Sequence, residues 1–597
     1  MSRVRQAGGV GRSRSAYARA GGWLVPVAAS TAACLGVAAW FGSSACTSST
    51  PAVPGGDAGV ASRPLDCTGD SGDAGAGHDS WPLYGGDICN SRSSTTAALT
   101  TGNVGSLALK WKMTTAGDIS ATPLVSGGRI YVPDWSGSMY CIDAASHAVV
   151  WSRTVSDILG IDAGLAPPDD AGNGSFGSRS TTVAVSRGTP VIAGNLLVFG
   201  VATSPALMVA VDKDTGALAW QTTVDDNPYA LVAASPVIDQ GVLYVGVSSS
   251  EEGAALSDPN HAYTFRGSVV ALDPASGRIV WTAPMIDDSV YFNQDGTRSG
   301  YAGAAVWSGT PTIDRRRKQL YVTTGNNYSV SPALPDGGAL PAGDHVESIV
   351  ALDMATGKVR WAQRMTAGDI WNFALIGNPD YDFGCGANLF QATISGAVHD
   401  IVGAGQKSGV YWALDADTGE ILWHTVVGPG GHLGGIHWGT ATDGQRIYVG
   451  VNDETGTDYP VAVAPDAGGD AAAPPGTHKC DAGVCTQVGS WAALDPATGR
   501  ILWQVPNPTM TAPVGGASVN GPVTVVNGVV LAGSMDAMGT LLAFEASTGR
   551  QLWSFASGAT VYGAPAIAGG VVYWGNGYPV RLTFGTPGNT LFAFAVP

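Results

Sequence analysis

Apolar and polar positions alternate along the chain in short strands that are separated by turns. From residue 100 onward one unit recurs, with an apolar strand, a turn close to Asp-x-x-Thr-Gly and a strand ending in Trp. Six clear copies read VAVDKDTGALAW, VALDPASGRIVW, VALDMATGKVRW, WALDADTGEILW, AALDPATGRILW and LAFEASTGRQLW, and a degenerate copy reads YCIDAASHAVVW. The turn Asp accepts backbone N–H bonds and the turn Gly supplies a positive φ, so each unit predicts a β-hairpin. We expect the closing tryptophans to pack between neighbouring units and to contact no ligand.

Two further strands precede most copies, as in TPLVSGGRIYV, SPVIDQGVLYVGV and APAIAGGVVYW. Four short strands in every ~40–80 residues are typical of a β-propeller blade. Seven units end in Trp, whereas the last one, LFAFAV, has no Trp strand after it. The segment LALKWKM around Trp111 would supply that strand and remove two open sheet edges. The pattern therefore predicts an all-β, eight-bladed β-propeller, closed by pairing of an N-terminal strand with the C-terminal strand.

Composition and charge exclude several classes of protein. The chain has 597 residues and 84 glycines, only 13% of its residues are charged, and its formal net charge is −17. An acidic chain of this kind has no basic surface for phosphate backbones, so we expect no nucleic-acid partner. Its one long uncharged apolar run lies at the N-terminus, which excludes a polytopic membrane protein.

The N-terminal residues 1–46 have the pattern of an export signal. Five arginines precede an uncharged, Ala-rich stretch at 20–41, and small residues then lead to Cys46. Lipidation at Cys46, simple cleavage and an uncleaved anchor all remain open. We expect an exported protein, periplasmic or tethered to the outer membrane or cell surface, that contacts the membrane only through an N-terminal anchor.

Residues 47–79 are rich in Gly, Ala, Asp and Ser and contain no aromatic residue, which predicts a flexible tether ahead of a propeller at 80–597. An insertion at 458–488 is expected to form a loop. Of the eight cysteines, Cys480 and Cys485 form the most plausible disulfide. No Cys-x-x-Cys-His motif is present, so this chain attaches no c-type haem.

Irregular segments between the repeats carry a more specific resemblance. They read WPLYGGDICNSRSS, VGVSSSEEG, YTFRGSVVALD, VWSGTPTID, YVTTGNNYS, TAGDIWNF, DYDFG, GQKSGVYWALD and GGIHWGTA. Over about residues 80–597 the chain resembles the pyrroloquinoline quinone (PQQ) alcohol dehydrogenases, and most of all their polyvinyl-alcohol dehydrogenase-like group. The resemblance implies an enzyme that oxidises an alcohol with PQQ and Ca²⁺, with polymeric secondary alcohols such as polyvinyl alcohol as candidate substrates. Electrons would pass to a separate acceptor such as a cytochrome c.

The resemblance also implies a metal site. Members of this family hold Ca²⁺ with a Glu, an Asn and an Asp. These roles fall on Glu251, with Glu252 as the alternative, on Asn326, with Asn327 as the alternative, and on Asp369. Carboxylate and amide oxygens suit Ca²⁺. The Asp is also the family's proposed general base, so Asp369 is implied to take the alcohol proton.

Four further positions match residues that contact the cofactor in the family. Lys407 matches the basic residue that bonds the quinone oxygens, and is therefore also a catalytic candidate. Trp307 matches the indole that stacks on the ring, Arg187 falls where a carboxylate-binding Arg stands, and Trp438 resembles a residue that lines the same channel.

The order of the strands supports this set independently of the resemblance. Every candidate either follows the second strand of a unit or lies between a Trp strand and the next unit. In an up-and-down propeller both kinds of connection emerge on one face, so we expect the candidates to converge at one end of the central channel.

Some features depart from the family pattern and leave other hypotheses open. The chain has no Cys-Cys pair, the segment before FRGS reads His-Ala-Tyr-Thr, and Asn372 stands where a second Asp is common. A non-catalytic scaffold that resembles the outer-membrane assembly lipoproteins is the main alternative. A polymer-binding propeller without redox activity is another.

Overall fold

A computed structural model of the chain describes residues 64–69, 79–96, 98–161, 184–202, 204–307, 309–332, 339–366, 368–375, 377–462, 476–509, 518–578 and 585–597. The predicted export signal and most of the predicted tether lie outside these residues. Within them, no helix has both the length and the apolar character needed to cross a membrane.

The described chain is all-β and is dominated by eight sheets of four or five strands. The strands of sheets 1 to 4 are, in turn, Leu124–Ser126, Arg129–Pro133, Ser138–Asp143 and Val149–Thr154; Val191–Ala193, Leu196–Val201, Ala206–Asp212 and Leu218–Asp225; Ala230–Leu231, Val237–Asp239, Val242–Ser249, Ser268–Leu272 and Ile279–Pro284; and Thr312–Asp314, Gln319–Thr323, Ser348–Asp353 and Val359–Arg364.

Sheets 5 to 8 continue in the same way. Their strands are Asn388–Ile394, Ala397–Gly405, Val410–Asp415 and Ile421–Val426; Ala441–Thr442, Ile447–Val451, Ser490–Leu494 and Ile501–Pro506; Thr524–Val526, Val529–Gly533, Thr540–Glu545 and Gln551–Ala556, with Ser93–Ser94 added in parallel; and Ala566–Ala568, Val571–Gly575, Thr590–Ala595 and Ala108–Thr114.

Smaller elements lie between these sheets. They comprise a pair of strands at Ala302–Gly303 and Asn327–Ser329, a three-stranded sheet at Tyr459–Pro460, Thr477–Cys480 and Gly483–Thr486, the α-helices Val155–Leu159 and Asp288–Tyr291, and the 3₁₀ helices Val104–Ser106 and Glu251–Leu256.

The repeated turns form as the sequence predicts. In sheet 2 the Asp212 carboxylate accepts hydrogen bonds from the backbone N–H groups of Asp214 and Thr215, and Gly216 has a φ of +69°. A Cβ at Gly216 would lie 2.9 Å from the Trp151 ring, so the glycine also lets the preceding sheet pack closely against this turn.

The repeat tryptophans connect one sheet to the next. Nε1 of Trp151 donates to the carbonyl of Lys213, and Nε1 of Trp220 donates to the carbonyl of Pro274. The corresponding tryptophans of later sheets repeat this contact with the turn of the following sheet. The prediction that these residues pack between units is confirmed.

The strand around Trp111 pairs antiparallel with the last strand of the chain, with Leu109 opposite Phe594. On one side, Trp553 of sheet 7 donates to the carbonyl of Leu107 at 2.9 Å. On the other side, Trp111 stacks on His147 in the turn of sheet 1, with ring centroids 4.9 Å apart. Sheet 8, built from both ends of the propeller segment, therefore contacts both sheet 7 and sheet 1.

Buried apolar side chains fill the spaces between adjacent sheets. One core cluster joins Leu531 of sheet 7, Val572 and Phe594 of sheet 8 and Ile142 of sheet 1. Burial of apolar surface is worth roughly 25 cal/mol per Å². These contacts between sheets are therefore a main source of stability for the fold.

Residues 64–69 differ from the predicted flexible tether. Cys67 forms a disulfide with Cys89, Leu65 packs against a core cluster, and Asp66 forms an ion pair with Arg315 at 3.1 Å. A sequence poor in apolar residues is held here by a covalent bond and by charge.

The predicted Cys480–Cys485 disulfide is confirmed. It joins the two strands of a hairpin inside the 458–488 insertion, so part of this predicted loop is regular structure. Residues 463–475 of the insertion lie outside the described residues.

Candidate functional site

Loops at the ends of strands in sheets 3, 4 and 5 contribute most of the predicted site residues. Glu251 and Glu252 follow strand Val242–Ser249, Asn326 follows Gln319–Thr323, Asp369 follows Val359–Arg364, and Lys407 follows Ala397–Gly405. Because each strand ends where its loop begins, rigid sheets fix the starting point of every loop.

Lys407 is buried between two carboxylates. Its Nζ donates to Oδ1 of Asp380 at 3.0 Å and to Oδ2 of Asp382 at 2.9 Å. Burial alone would lower the pKa of Lys407, but these two carboxylates raise it above its ordinary value. Burial also raises the pKa of Asp380 well above its usual range, and Lys407 opposes that rise. Lys407 is therefore a permanently charged donor held in one position.

Asp382 also contacts the loop that carries Asn326. Its Oδ1 accepts the backbone N–H of Asn326 at 2.7 Å. A Cβ at Gly325 would lie 2.3 Å from this oxygen and 2.8 Å from Nε1 of Trp307, so only glycine allows Asp382 and Trp307 to approach the loop this closely. Trp307 is half-buried, and its buried Nε1 has no hydrogen-bond partner among the described residues.

The Asn326 side chain is fixed by its amide nitrogen, which donates to the carbonyls of Asn327 at 2.7 Å and Trp371 at 2.8 Å. Its Oδ1 is buried and has no partner among the described residues. The neighbouring Asn327 donates instead to Asp344 at 2.8 Å. Of these two asparagines, Asn326 is therefore the one that hydrogen-bonds to Asp382.

Asp369 has one satisfied and one unsatisfied oxygen. Its Oδ2 accepts the backbone N–H of Tyr381 at 2.8 Å, while the buried Oδ1 has no partner within the described chain. Burial, followed by the charge of Asp382, raises the pKa of Asp369 to about 7, against the opposing Tyr381 hydrogen bond and the positive charge of Lys407. A carboxyl group with a pKa near neutrality can both accept and release a proton.

Glu251 and Glu252 have different surroundings. The fully buried Glu251 carboxylate accepts from the backbone N–H groups of Thr264 and Phe265, from the Thr264 hydroxyl, and contacts His261 at 3.0 Å. The Glu251 carboxylate is therefore used to stabilise the segment that leads into FRGS. Burial, followed by the negative charge of Asp382, raises the pKa of Glu252 to about 8, and the positive charge of Lys407 opposes this rise.

A backbone hydrogen bond holds the Glu252 turn near the Asp369 loop. The N–H of Phe373, which follows Asp369 by four residues, donates to the carbonyl of Glu252 at 3.2 Å. The structure therefore places the turn of Glu252, the sequence alternative, beside the Asp369 loop and within the electrostatic influence of Asp382 and Lys407.

The donor set is suited to a hard cation. Unpartnered buried oxygens are costly, and a bound cation would satisfy those of Asn326 and Asp369. In the described residues, no three His, Cys, Asp or Glu side chains are arranged to hold a metal ion. The amide oxygen of Asn326 stays a predicted ligand of such a site.

Arg187 and Trp438 form a second group. The Arg187 guanidinium lies over the Trp438 ring at 4.7 Å, with Tyr578 at 5.8 Å and Trp135 at 6.0 Å from its carbon. His437 stacks on Trp438, and burial, then the charges of Lys407 and Arg187, lowers its pKa well below the usual range. His437 thus lies within the influence of both groups and links them.

Sequence reasoning missed three buried acids at this site. Asp380 and Asp382 lie in DYDFG, a segment noted only for its resemblance. Glu347 is fully buried with an unpartnered Oε1, and burial, then the charge of Asp369, raises its pKa well above its ordinary value. The two acids on either side of Tyr381 could have been singled out from the sequence, because paired acids are candidates for the surroundings of a predicted cation site.

Two family models match the chain. The model described as "Glucose/ethanol/alcohol dehydrogenase, beta-propeller domain" matches residues 229–429, a range that includes Glu252, Asn326, Asp369 and Lys407. The model described as "Outer membrane protein assembly factor BamB" matches residues 100–326 and 488–586.

Full-length relatives are more informative. A polyvinylalcohol dehydrogenase of a Pseudomonas species is 31% identical over 87% of this chain and 77% of its own length. A second, from Sphingopyxis sp. (strain 113P3), is 30% identical over 86% of this chain and 76% of its own length. Among solved structures, the quinohemoprotein alcohol dehydrogenase of Comamonas testosteroni has a TM-score of 0.63 at 21% identity, covering 88% of this chain and 81% of its own.

The solved structure establishes the fold class as that of the PQQ propellers. With the full-length relatives, the chain belongs to the PQQ-dependent quinoprotein alcohol dehydrogenase family, as the irregular segments indicated.

Proposed function

We propose that this protein is an exported quinoprotein dehydrogenase that oxidises an alcohol with PQQ and Ca²⁺. The two most similar relatives described above are named for polyvinyl alcohol, which makes a polymeric secondary alcohol the first candidate substrate. The observation that carries the proposal is the pair of buried, unpartnered oxygens on Asn326 and Asp369 beside the clamped Lys407.

The proposed architecture is a closed ring of eight blades, one for each of the eight sheets. The pairing of Ala108–Thr114 with Thr590–Ala595 supports closure, as do the contacts of Trp553 with Leu107 and of Trp111 with His147.

Glu252, Asn326 and Asp369 would hold the cation. Glu251 was the first candidate from the sequence, but its carboxylate accepts bonds from Thr264 and Phe265, and we therefore assign the role to Glu252. A divalent cation would offset the excess of carboxylates over the single ammonium of Lys407.

Each side chain has a distinct task in the proposed reaction. PQQ, when bound, would accept the carbon-bound hydrogen of the alcohol together with its two electrons, as a hydride equivalent. The Asp369 carboxylate would take the hydroxyl proton, a contribution of roughly 10²–10⁴-fold to the rate. Lys407 would hold a ring oxygen of the cofactor with its remaining N–H and would stabilise negative charge on it. Trp307 provides an indole face for the ring, and Arg187, with Trp438, provides a cation for its carboxylates.

Other parts of the proposal rest on sequence. The basic and apolar N-terminus supports export, with the protein periplasmic or surface-tethered. Since no haem-attachment motif is present, a separate acceptor such as a cytochrome c would receive the electrons.

A non-catalytic scaffold is the second candidate, and the match to the assembly-factor model favours it. That match leaves out residues 327–487, which hold Asp369, Asp382 and Lys407, whereas the dehydrogenase model covers all three. A scaffold built only from repeats would not require a buried lysine between two buried acids.

Titration of the full-length protein with PQQ and Ca²⁺ tests the proposal, with tryptophan fluorescence and dye-linked oxidation of 2-propanol and polyvinyl alcohol as readouts. We expect Ca²⁺-dependent PQQ binding that is lost in Asp369→Ala and Lys407→Ala. Absence of binding at millimolar Ca²⁺ would reject the enzyme and favour the scaffold.

A further inference from the structure

We propose that Asp382 is a positioning residue that holds the metal-ligand loop and the cofactor-contacting lysine in one fixed arrangement. This inference rests on the proposed function for the identity of the bound groups. It concerns a residue to which the sequence analysis assigned no role.

Three hydrogen bonds carry the inference. Oδ1 of Asp382 accepts the backbone N–H of Asn326 at 2.7 Å, and Oδ2 accepts Nζ of Lys407 at 2.9 Å. The backbone carbonyl of Asp382 accepts the backbone N–H of Lys407 at 3.0 Å. Asp382 therefore fixes both the backbone and the ammonium group of Lys407. It also fixes the backbone N–H of Asn326.

The burial of Asp382 makes these bonds strong. Asp382 is 1% exposed, so water does not compete for its oxygens. An ionised carboxylate is a pure acceptor, and its bonds to an ammonium group are charge-assisted. Because Oδ1 and Oδ2 belong to one rigid group, displacement of Lys407 also displaces the peptide of Asn326.

The arrangement leaves one ammonium hydrogen available. An ammonium group has three donors, and Asp380 and Asp382 take two of those of Lys407. These two bonds together direct the third hydrogen, so Asp382 and Asp380 both orient Lys407 toward the proposed cofactor position. The other oxygen of the same carboxylate holds the backbone N–H of Asn326, whose side-chain Oδ1 has no partner among the described residues.

Asp380 provides a matched comparison. It is also buried and accepts from Nζ of Lys407 at 3.0 Å, but among the described residues its side chain hydrogen-bonds only to Lys407. Asp380→Ala and Asp382→Ala each remove one carboxylate and one bond to Lys407. Only the second also removes the acceptor of the Asn326 N–H.

The experiment measures two quantities on the full-length protein. The first is the Ca²⁺ concentration for half-maximal PQQ uptake, followed by tryptophan quenching. The second is the rate of amide hydrogen exchange in a peptide covering residues 324–328 without cofactor. The variants are Asp382→Ala, Asp380→Ala and Asp382→Asn, which keeps one acceptor oxygen in place of two. Thermal unfolding checks that each variant is folded.

We expect Asp382→Ala to weaken Ca²⁺ binding by roughly 10–100-fold, the usual effect of losing a residue that orients a ligand. It should also speed exchange of the Asn326 amide, whereas Asp380→Ala, which removes one acceptor of Lys407 but none of Asn326, should weaken Ca²⁺ binding less and leave the exchange rate unchanged. Asp382→Asn offers a single acceptor oxygen, so it should not restore both the slow exchange of the Asn326 amide and the wild-type Ca²⁺ affinity.

Equal effects of Asp380→Ala and Asp382→Ala would overturn the inference, because Asp382 would then act only as a counter-ion of Lys407. Wild-type values of both quantities in Asp382→Asn would also overturn it, because one acceptor oxygen would then be sufficient. If the wild-type protein takes up no PQQ, the proposed function fails, and amide exchange still decides whether Asp382 positions Asn326.

Discussion

Glu251 and Glu252 are adjacent in the chain, yet the carboxylate of Glu251 supports the backbone of Thr264 and Phe265, whereas that of Glu252 lies within the field of Asp382 and Lys407. One of the two acids therefore stabilises a loop, and the other belongs to the candidate metal site.

This difference predicts opposite phenotypes for two single substitutions. Glu252→Gln should weaken Ca²⁺-dependent PQQ binding at least tenfold and leave unfolding nearly unchanged. Glu251→Gln should lower the free energy of unfolding by about 1–3 kcal/mol, because buried donors lose a charged acceptor. Binding titrations and urea unfolding of both variants provide the measurements. If Glu251→Gln alone abolished Ca²⁺ dependence, the ligand would be Glu251.

Removal of the proposed base should reduce turnover without loss of the cofactor. Asp369→Asn keeps an oxygen donor in place but cannot take the alcohol proton, so kcat should fall by roughly 10²–10⁴-fold. Dye-linked assays at saturating PQQ and Ca²⁺ measure this. Asp226→Asn, at an exposed position, is the control for loss of one negative charge. A kcat within threefold of wild type would exclude Asp369 as the base.

The stability of the metal-free protein should fall as the pH rises through neutrality. The pKa of Asp369 is raised to about 7 and that of Glu252 to about 8, above the values near 4 expected when unfolded. The folded state therefore holds protons that the unfolded state has released, and it loses stability as the pH rises from about 4 to about 8.

Urea unfolding in a chelator at pH 5 and pH 8.5 tests this dependence. The loss in wild type should be on the order of 1 kcal/mol or more. It should be smaller in the Glu252→Gln, Asp369→Asn double variant, which cannot ionise at these positions. An identical loss in both proteins would contradict the assignment.

The guanidinium of Arg187 should not be replaceable by an ammonium group. Arg187 lies over Trp438, and only a planar cation both stacks and presents paired donors to a carboxylate. Arg187→Lys should therefore weaken PQQ binding about tenfold or more, measured by the same titration. Arg550→Lys, at an exposed turn, is the matched control. Full affinity in Arg187→Lys would mean that Arg187 contributes only its charge.

The two disulfides should differ in their effect on stability. Cys67 and Cys89 are 22 residues apart, and Cys480 and Cys485 only five. In the loop-entropy model, loss of the longer link costs about 3 kcal/mol and loss of the shorter link costs less. Urea unfolding of the paired Cys→Ser variants measures both. Limited proteolysis near residues 64–69 should increase only when the Cys67 link is absent.

The repeats were predictable from sequence because their chemistry is local. Each turn Asp bonds its own turn, as Asp212 does, and each Gly such as Gly216 takes a positive φ, so a few adjacent residues determine the structure. The pairing of the Trp111 strand with LFAFAV was also predictable. The last unit, LFAFAV, has no Trp strand after it, and the strand around Trp111 belongs to no other unit.

The hydrogen bonds between the residues of the site were not predictable in this way. Lys407 meets Asp380 and Asp382 across about 25 residues, and Asp382 meets Asn326 across 56. The choice between Glu251 and Glu252 depends on donors at 261–265, which a resemblance to short motifs does not register. The Cys67–Cys89 link was missed because composition alone does not locate a covalent constraint.

The pairing of Ala108–Thr114 with Thr590–Ala595 has a consequence for biosynthesis. The early strand leaves the ribosome almost five hundred residues before its partner. Its backbone N–H and C=O groups therefore have no strand of sheet 8 to pair with while the other sheets are synthesised. Contacts this distant in sequence form slowly. An incomplete nascent chain therefore exposes an adhesive strand, and a truncation of the final six-residue strand would affect the first part of the propeller as much as the last.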